Sequence, residues 1–175
     1  MTIVDNVKQD RVKPDDFLAF IEIPKGSNMK YELDKETGFL ILDRVLFTST
    51  HYPANYGLIP RTLAADGDHL DCVVLCSERI SENCLVRCFP IGMIVMTDQG
   101  YLDEKIIAIP FGDPEYRGIK SIDELPRHIL DEMAHFFTVY KELEGKSTAV
   151  QTIVGVDGAK VKIEEYMRAF EAAER

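Results

Sequence analysis

The first two-thirds of the chain alternate short apolar runs with turn residues, a pattern typical of β-strands. Several runs rich in Val, Ile and Leu are bounded by Pro, Gly or Asp. We predict strands over residues 17–23, 30–33, 39–43, 72–75, 85–96 and 105–109. The turn-rich segment 34–38 predicts a hairpin between two of them. Short strands at this spacing favour a closed or nearly closed barrel, because closure leaves no exposed edge.

Helical spacing appears only in the last third of the chain. After Pro126, apolar residues recur at alternating steps of four and three, which marks one face of a helix. The residues of this stripe are Ile129, Met133, Phe136, Tyr140 and Leu143. Pro126 suits the first turn and Gly145 suits the end, and residues 163–170 predict a second, shorter helix. Strands followed by helices predict an α+β fold.

Composition and charge narrow the class of protein. The 175 residues are 46% hydrophobic and 29% charged, without a linker or repeat, so we predict a single domain over residues 1–175. Thirty acidic against twenty basic residues give a net charge of −10, which disfavours nucleic acid and anionic membranes as partners. With no signal-peptide pattern and no apolar run long enough to span a bilayer, we expect a cytoplasmic protein.

Four cysteines lie close together in the sequence, at positions 72, 76, 84 and 88. In a reducing compartment we expect them to be free thiols. Their spacing is a loose match to a zinc site, which stays an alternative, but no CxxC pair is present. We interpret them as small apolar residues of strands.

The segment 66–71 is the sharpest chemical feature of the sequence. Asp66, Asp68 and Asp71 repel one another unless cations lie between them, and Gly67 allows the tight turn that brings them together. The spacing fails as an EF-hand, because Leu70 stands at a ligand position. The alternative is a solvated acidic turn.

A second group of charged residues lies on predicted strands. Asp103 and Lys105 are two apart, so a strand directs both to one face, and the same holds for Lys30 and Glu32. Glu22 is a charge within an apolar run, where it is costly unless paired or near a cation. Edge-strand charges are the simpler interpretation of each residue taken alone.

Carboxylates for divalent cations beside Lys, Arg and Tyr are the groups that phosphoryl transfer to water requires. The chain has no GxxxxGK[ST] motif, which excludes a P-loop nucleotide site. Two other classes stay open at this point. One is a different metal-dependent phosphohydrolase, such as a nuclease or nucleotide phosphatase; the other is a non-enzymatic barrel module that binds nucleic acid or protein.

With these residues in view, the chain closely resembles the family I soluble inorganic pyrophosphatases of the bacterial type, from about residue 17 to residue 141. The motifs that carry the resemblance are Lys30-Tyr31-Glu32, Asp43-Arg44, Tyr52-Pro53-Ala54-Asn55-Tyr56-Gly57 and the segments 66–71 and 98–105. The resemblance implies an OB-like closed β-barrel of about five strands with flanking helices. It further implies hydrolysis of pyrophosphate to two orthophosphates by in-line attack of a metal-activated water. The expected cofactor is Mg²⁺, several ions per site, with Mn²⁺ or Zn²⁺ as substitutes, and the expected assembly is a homohexamer.

The resemblance also implies a role for each candidate residue. The metal ligands are Asp66, Asp71, Asp98, Asp103, Glu32 and Glu22. The substrate-binding groups are Lys30, Arg44, Tyr56, Lys105, Tyr140 and Lys141. Asp68 is the catalytic base that orients and deprotonates the attacking water, and Asp71 bridges two metals. The family usually has Pro or Glu where this chain has His69, a departure that removes no ligand.

Overall fold

The computed structural model describes residues 2–175, which form nine strands and two α-helices joined by turns and short 3₁₀ segments. The strands are β1 (Val12–Lys13), β2 (Asp16–Ile23), β3 (Met29–Leu33), β4 (Leu40–Val45), β5 (Asn55–Ile59), β6 (Leu70–Val74), β7 (Cys84–Asp98), β8 (Tyr101–Pro110) and β9 (Thr148–Gly155). The helices are α1 (Arg127–Val139) and α2 (Val156–Ala173). The predicted order, strands before helices, holds except for β9, which lies between the two helices.

Five strands form a closed ring in the order β2, β5, β6, β8 and β7, because β7 returns to pair with β2. The pairing of β6 with β8 is parallel, and every other pairing in the ring is antiparallel. Strands β1 and β9 extend this sheet, whereas β3 and β4 form a separate two-stranded hairpin. The predicted α+β class with about five strands in a closed arrangement is confirmed.

Two glycines lie where another segment approaches a strand of the ring too closely for a side chain. A Cβ on Gly57 of β5 would lie 1.8 Å from the carbonyl oxygen of Phe20 on β2, closer than atoms can approach. On β7, a Cβ on Gly92 would lie 2.5 Å from Cγ2 of Ile122. A register shift between Pro90 and Gly92 bends β7, so that its start pairs with β2 and the rest with β8 and β9.

The helices cover the ring on different sides, and each buries one apolar face. Helix α1 packs Met133 and Phe136 into a cluster with strands of the ring, and α2 packs Ala159 and Ile163 into a second cluster. Helix α1 is shorter than predicted: it ends at Val139, and Leu143 lies exposed in a 3₁₀ turn. The chain leaves helical geometry at the residues next to the cavity described below.

The cysteines are free thiols in the structure. Cys72 and Cys88 are fully buried in the ring, and burial raises the pKa of both thiols. Between residues 2 and 175, no helix combines the length and the apolar character needed to cross a bilayer.

Candidate active site

A cavity of about 530 Å³ lies between the β3–β4 hairpin and the ring strands. All the predicted site residues line it except Arg44 and Asp66. The predicted residues that line it are Glu22, Lys30, Glu32, Tyr56, Asp68, Asp71, Asp98, Asp103, Lys105, Tyr140 and Lys141. Side chains from across most of the sequence therefore converge on one place.

The ammonium group of Lys105 lies at the centre of the cavity wall. Parallel pairing of β6 with β8 places Asp71 directly opposite Lys105. The Lys105 Nζ lies 2.8 Å from Asp71 Oδ2 and 3.1 Å from both carboxylate oxygens of Asp103. The side chain of Lys105 is only 2% exposed, so this cation is held by two carboxylates away from water.

Burial and the neighbouring charges shift the pKa of Lys105 in opposite directions. Burial alone lowers the pKa of Lys105, but the Asp71 and Asp103 carboxylates outweigh it and raise the pKa above its ordinary value. Burial also raises the pKa of Asp103, although Lys105 partly offsets this. We conclude that Lys105 stays charged.

The phenol of Tyr56 joins the same network. Its hydroxyl donates to Asp71 Oδ2 at 2.6 Å and accepts from Lys105 Nζ at 2.8 Å. Burial raises the pKa of Tyr56 well above its ordinary value, and Asp71 adds to the effect. The phenol is therefore a fixed hydrogen-bond donor.

Glu22 lies in the buried part of the wall, on β2. Its Oε1 accepts a hydrogen bond from the backbone N–H of Leu33 at 2.9 Å, which ties the ring to the β3–β4 hairpin. Burial, reinforced by the nearby Asp71 carboxylate, raises the pKa of Glu22 to about 8. At pH 7 this carboxyl is held largely neutral, and a cation bound beside it would favour the ionised form.

The β3–β4 hairpin supplies the outer rim. Lys30 is paired with Glu32 on its own strand and lies 3.4 Å from Asp43 on β4. Arg44 is in contact with Asp43, and its Nε lies 2.7 Å from Glu144 Oε1 in the 3₁₀ turn after α1. Among the described residues, its buried Nη2 has no hydrogen-bond partner, which leaves one donor of the guanidinium unused.

Residues 66–68 form an exposed turn at the mouth of the cavity, and Leu70 and Asp71 already belong to β6. Asp66 accepts the backbone N–H of Asp68 through Oδ1 at 3.0 Å and does not reach the cavity surface. Asp68 does reach it, and its carboxylate is paired with Lys35 from the β3–β4 turn. The Lys35 Nζ also donates to the carbonyl oxygen of Gly67 at 3.1 Å.

The far end of the cavity is closed by the turn that follows α1. Lys141 is paired with Asp98 at the end of β7. Burial raises the pKa of Tyr140, so this phenol also stays protonated. Because the helix ends at Val139, Tyr140 and Lys141 both line the cavity.

The donor set of the cavity fits hard divalent cations, which prefer oxygen ligands. Seven carboxyl groups and four lysines line the cavity. In the described chain, residues 2–175, no three His, Cys, Asp or Glu side chains already converge as a metal site, and this applies equally to the cysteines considered for zinc. Cations bound here would share these carboxylates with the ammonium groups that already contact them.

Sequence reasoning missed several cavity residues. Lys35 is the most consequential, since it contacts both Asp68 and Gly67. The sequence analysis predicted only a hairpin turn over residues 34–38 and gave Lys35 no role. Tyr31 and His69 also line the cavity, and neither was assigned a role.

Comparison with known proteins agrees with this geometry. A family model described as "Inorganic pyrophosphatase" matches residues 19–171. The chain is 47% identical over 161 residues to the inorganic pyrophosphatase of Aquifex pyrophilus, covering 90% of this chain and 89% of that protein. It is 47% identical over 154 residues to the enzyme of the same name from Halalkalibacterium halodurans, covering 88% and 94%.

Solved structures give the same result. An inorganic pyrophosphatase from Helicobacter pylori superposes with a TM-score of 0.88 at 40% identity, over 91% of this chain and 96% of that one. The Thermus thermophilus inorganic pyrophosphatase also gives a TM-score of 0.88, at 34% identity, over 90% and 92%. On the sequence, the fold and the charged cavity together, the chain belongs to the inorganic pyrophosphatases, the enzymes that hydrolyse pyrophosphate to phosphate.

Proposed function

We propose that this chain hydrolyses pyrophosphate in the charged cavity with Mg²⁺ as its cofactor, and that the predicted site residues perform the reaction. The observation that carries the proposal is the alternation of carboxylates and lysines around one cavity. Carboxylates suit the cations that accompany a phosphate substrate, and lysines suit the phosphate oxygens.

The cations would be held by six carboxylates that differ in position. These are Glu22, Glu32, Asp71, Asp98 and Asp103, which line the cavity, and Asp66 in the exposed turn at its mouth, with Asp71 shared between two ions. When bound, divalent cations lower the pKa of water and neutralise phosphate charge. The central position of Asp71, between Tyr56 and Lys105, supports its role as the shared ligand.

Asp68 would act as the base. Its carboxylate faces the cavity from an exposed turn, where water can reach it and give up a proton to it. Lys35 holds the carboxylate in place.

The phosphate groups would be bound by cations and phenols on opposite sides of the cavity. Lys30 and Arg44 belong to the β3–β4 hairpin, and Lys141 belongs to the turn after α1. Lys105 and the protonated phenols of Tyr56 and Tyr140 lie between them. Fixed donors on both sides orient the substrate and stabilise the charge that develops on the departing phosphate.

A substrate panel tests the proposal. Pyrophosphate, a nucleoside triphosphate and a phosphodiester are offered with Mg²⁺ and with a chelator. We expect phosphate release from pyrophosphate alone, and only with Mg²⁺. Equal hydrolysis of nucleotides or diesters would instead support a broader phosphohydrolase, and undiminished release in the chelator would contradict the metal requirement.

The homohexamer, the single domain over residues 1–175 and the cytoplasmic location remain predictions. Support for assembly comes from large apolar side chains exposed on and near the β3–β4 hairpin. They are Met29, Phe39, Ile41, Leu42, Val45 and Phe47. Light scattering coupled to size exclusion would give the mass of the assembly, and a mass of one chain would contradict a hexamer.

A further inference from the structure

We propose that His69 and Asp5 are positioning residues, which hold the loop that carries Asp66 and Asp68 at the mouth of the cavity. The residues between β5 and β6, numbers 60–69, are called here the aspartate loop. The consequence for metal binding rests on the proposed function, whereas the mechanical role of the two residues does not.

Thr62 joins the two ends of the aspartate loop. Its fully buried hydroxyl donates to the carbonyl oxygen of Ile59 at 2.5 Å and accepts the N–H of Leu70 at 2.9 Å. The carbonyl oxygen of Thr62 lies 2.9 Å from Nδ1 of His69. Since a carbonyl can only accept, Nδ1 carries the hydrogen and the imidazole closes a second link across the loop.

The other imidazole nitrogen faces the N-terminal segment. Nε2 of His69 lies 3.4 Å from Oγ1 of Thr2 and 3.6 Å from Oδ1 of Asp5. The His69 side chain is 9% exposed and lines the cavity, while Nδ1 faces Thr62 and Nε2 faces the N-terminal segment. His69 therefore acts on the loop, although it lies between Asp68 and Asp71.

Asp5 fixes the same loop at its start. It is 3% exposed, and its Oδ1 accepts the backbone N–H of Arg61 at 3.1 Å. Its Oδ2 accepts the N–H and hydroxyl of Thr2 at 2.7 and 3.0 Å, which keeps the N-terminal segment folded against the loop. A buried carboxylate satisfied by these donors is costly to remove.

Arg61 connects the aspartate loop to the C-terminal end of the chain. Its backbone has a φ of +57°, unusual for a residue with a side chain, and its Nη1 donates to the carbonyl oxygen of Asp5 at 3.1 Å. Its Nη2 lies 3.0 Å from Glu174 Oε2, and its guanidinium stacks 5.2 Å from the ring centre of Phe170. The contacts of Asp5 hold the backbone in this strained conformation.

Between these anchors the loop has little support of its own. The backbone bonds inside it are those from Ala64 N to Asp68 O at 2.7 Å and from Gly67 N to Ala64 O at 3.0 Å. Asp66 and Asp68 are exposed there. The position of their carboxylates therefore depends on groups outside the loop, which are those that hold its base, Lys35 at its tip and Tyr166, whose carbonyl accepts the N–H of Leu63.

Hydrogen exchange of the metal-free protein tests the mechanical role directly. In His69→Ala and in Asp5→Ala, we expect amides of residues 63–69 to exchange about tenfold faster, while amides of β8 keep their rates. His128→Ala is the matched control, because His128 is exposed on α1 and faces only Glu132. Unchanged exchange of the loop in both variants would overturn the proposal.

Calorimetric titration with Mg²⁺ tests the consequence for the site. We expect His69→Ala to bind Mg²⁺ about tenfold more weakly, the size typical for loss of a group that orients ligands. The activity of His69→Ala should recover more at high Mg²⁺ than at high pyrophosphate. His69→Asn, which can keep a donor towards Thr62, should restore most of the affinity.

The two proposals fail in different ways. If the unaltered protein bound no Mg²⁺, the proposed function would be wrong, but the exchange experiment would still decide the role of His69 and Asp5. If the unaltered protein bound Mg²⁺ and both variants bound it equally well, the positioning role would be wrong.

Discussion

The inner and outer halves of the cavity hold their charges in different ways. In the inner half, strands of the closed ring bury Lys105 between two carboxylates, and its side chain is 2% exposed. In the outer half, the β3–β4 hairpin and the aspartate loop meet through Lys35 and Asp68, whose side chains are 57% and 63% exposed. Both halves pair lysine with aspartate, so burial is the variable that separates them.

The comparison shows which half of the cavity is rigid and which half can rearrange. A buried ion pair is little screened by salt. Removal of one partner leaves the other charge buried without a counter-charge. An exposed pair contributes about 0.2–1 kcal/mol and can part at little cost. The inner half thus holds a fixed charge pattern, while the outer half can rearrange when substrate and cations enter.

The largest effect is expected for Asp71→Asn in the inner half. The substitution removes the carboxylate that Tyr56 and Lys105 both contact, and an amide bridges cations poorly, so turnover should be lost and Mg²⁺ affinity should fall. Steady-state assays and calorimetric titration measure the two effects, with Asp10→Asn as an exposed control. Unchanged Mg²⁺ affinity would contradict the bridging role.

Asp68→Asn tests whether a residue of the exposed outer half can have a large effect on turnover. Although Asp68 is exposed, loss of a base lowers kcat by about 10²–10⁴-fold, and we expect a decrease in that range with Mg²⁺ affinity retained. Asp66→Asn serves as the comparison, since a pure ligand should lose affinity instead. Restoration of Asp68→Asn by excess Mg²⁺ would show that Asp68 is a ligand rather than the base.

Arg44→Lys should have an intermediate effect. Lysine keeps the charge but cannot present paired planar donors, so we expect pyrophosphate to bind about tenfold more weakly while the fold persists. The pair formed by Arg87 and Asp16 lies outside the cavity, and Arg87→Lys is the matched control. Equal kinetics of the two variants would show that Arg44 does not bind pyrophosphate.

The smallest effect is expected for Lys35→Ala in the outer half. Its exposed pair with Asp68 is worth at most about 1 kcal/mol, which limits the change in kcat to about fivefold. The difference from the unaltered protein should shrink as salt is added, because salt screens exposed pairs. A decrease of kcat by a hundredfold or more would show that Lys35 takes part in catalysis. It would also contradict the proposed difference between the two halves of the cavity.

Local patterns in the sequence were sufficient for part of the site. The two-residue period of a strand predicted that Asp103 and Lys105 share a face, and their side chains lie 3.1 Å apart. The same reasoning paired Lys30 with Glu32, which are in contact. These predictions succeed because each depends only on the geometry of one strand.

Predictions that depended on distant parts of the chain were less complete. Strand β5 contains Asn55 and Gly57, which are poor strand formers, yet Gly57 is required there by the backbone of β2. Strand β9, residues Thr148–Gly155, was missed as well. The contact between Lys35 and Asp68 forms only when the hairpin folds over the aspartate loop, and no short-range sequence pattern predicts it.

The parallel pairing of β6 with β8 also has a kinetic consequence. Asp71 and Lys105 are 34 residues apart in sequence, and the closing pair Phe17 and Cys88 is separated by 71. Contacts this distant form late and slowly, because the chain loses entropy before they stabilise it. Recovery of pyrophosphate hydrolysis after dilution from denaturant should therefore lag behind the far-ultraviolet circular dichroism signal of the helices. In this fold the part of the cavity wall that holds Asp71 and Lys105 is assembled by the same event that completes the ring.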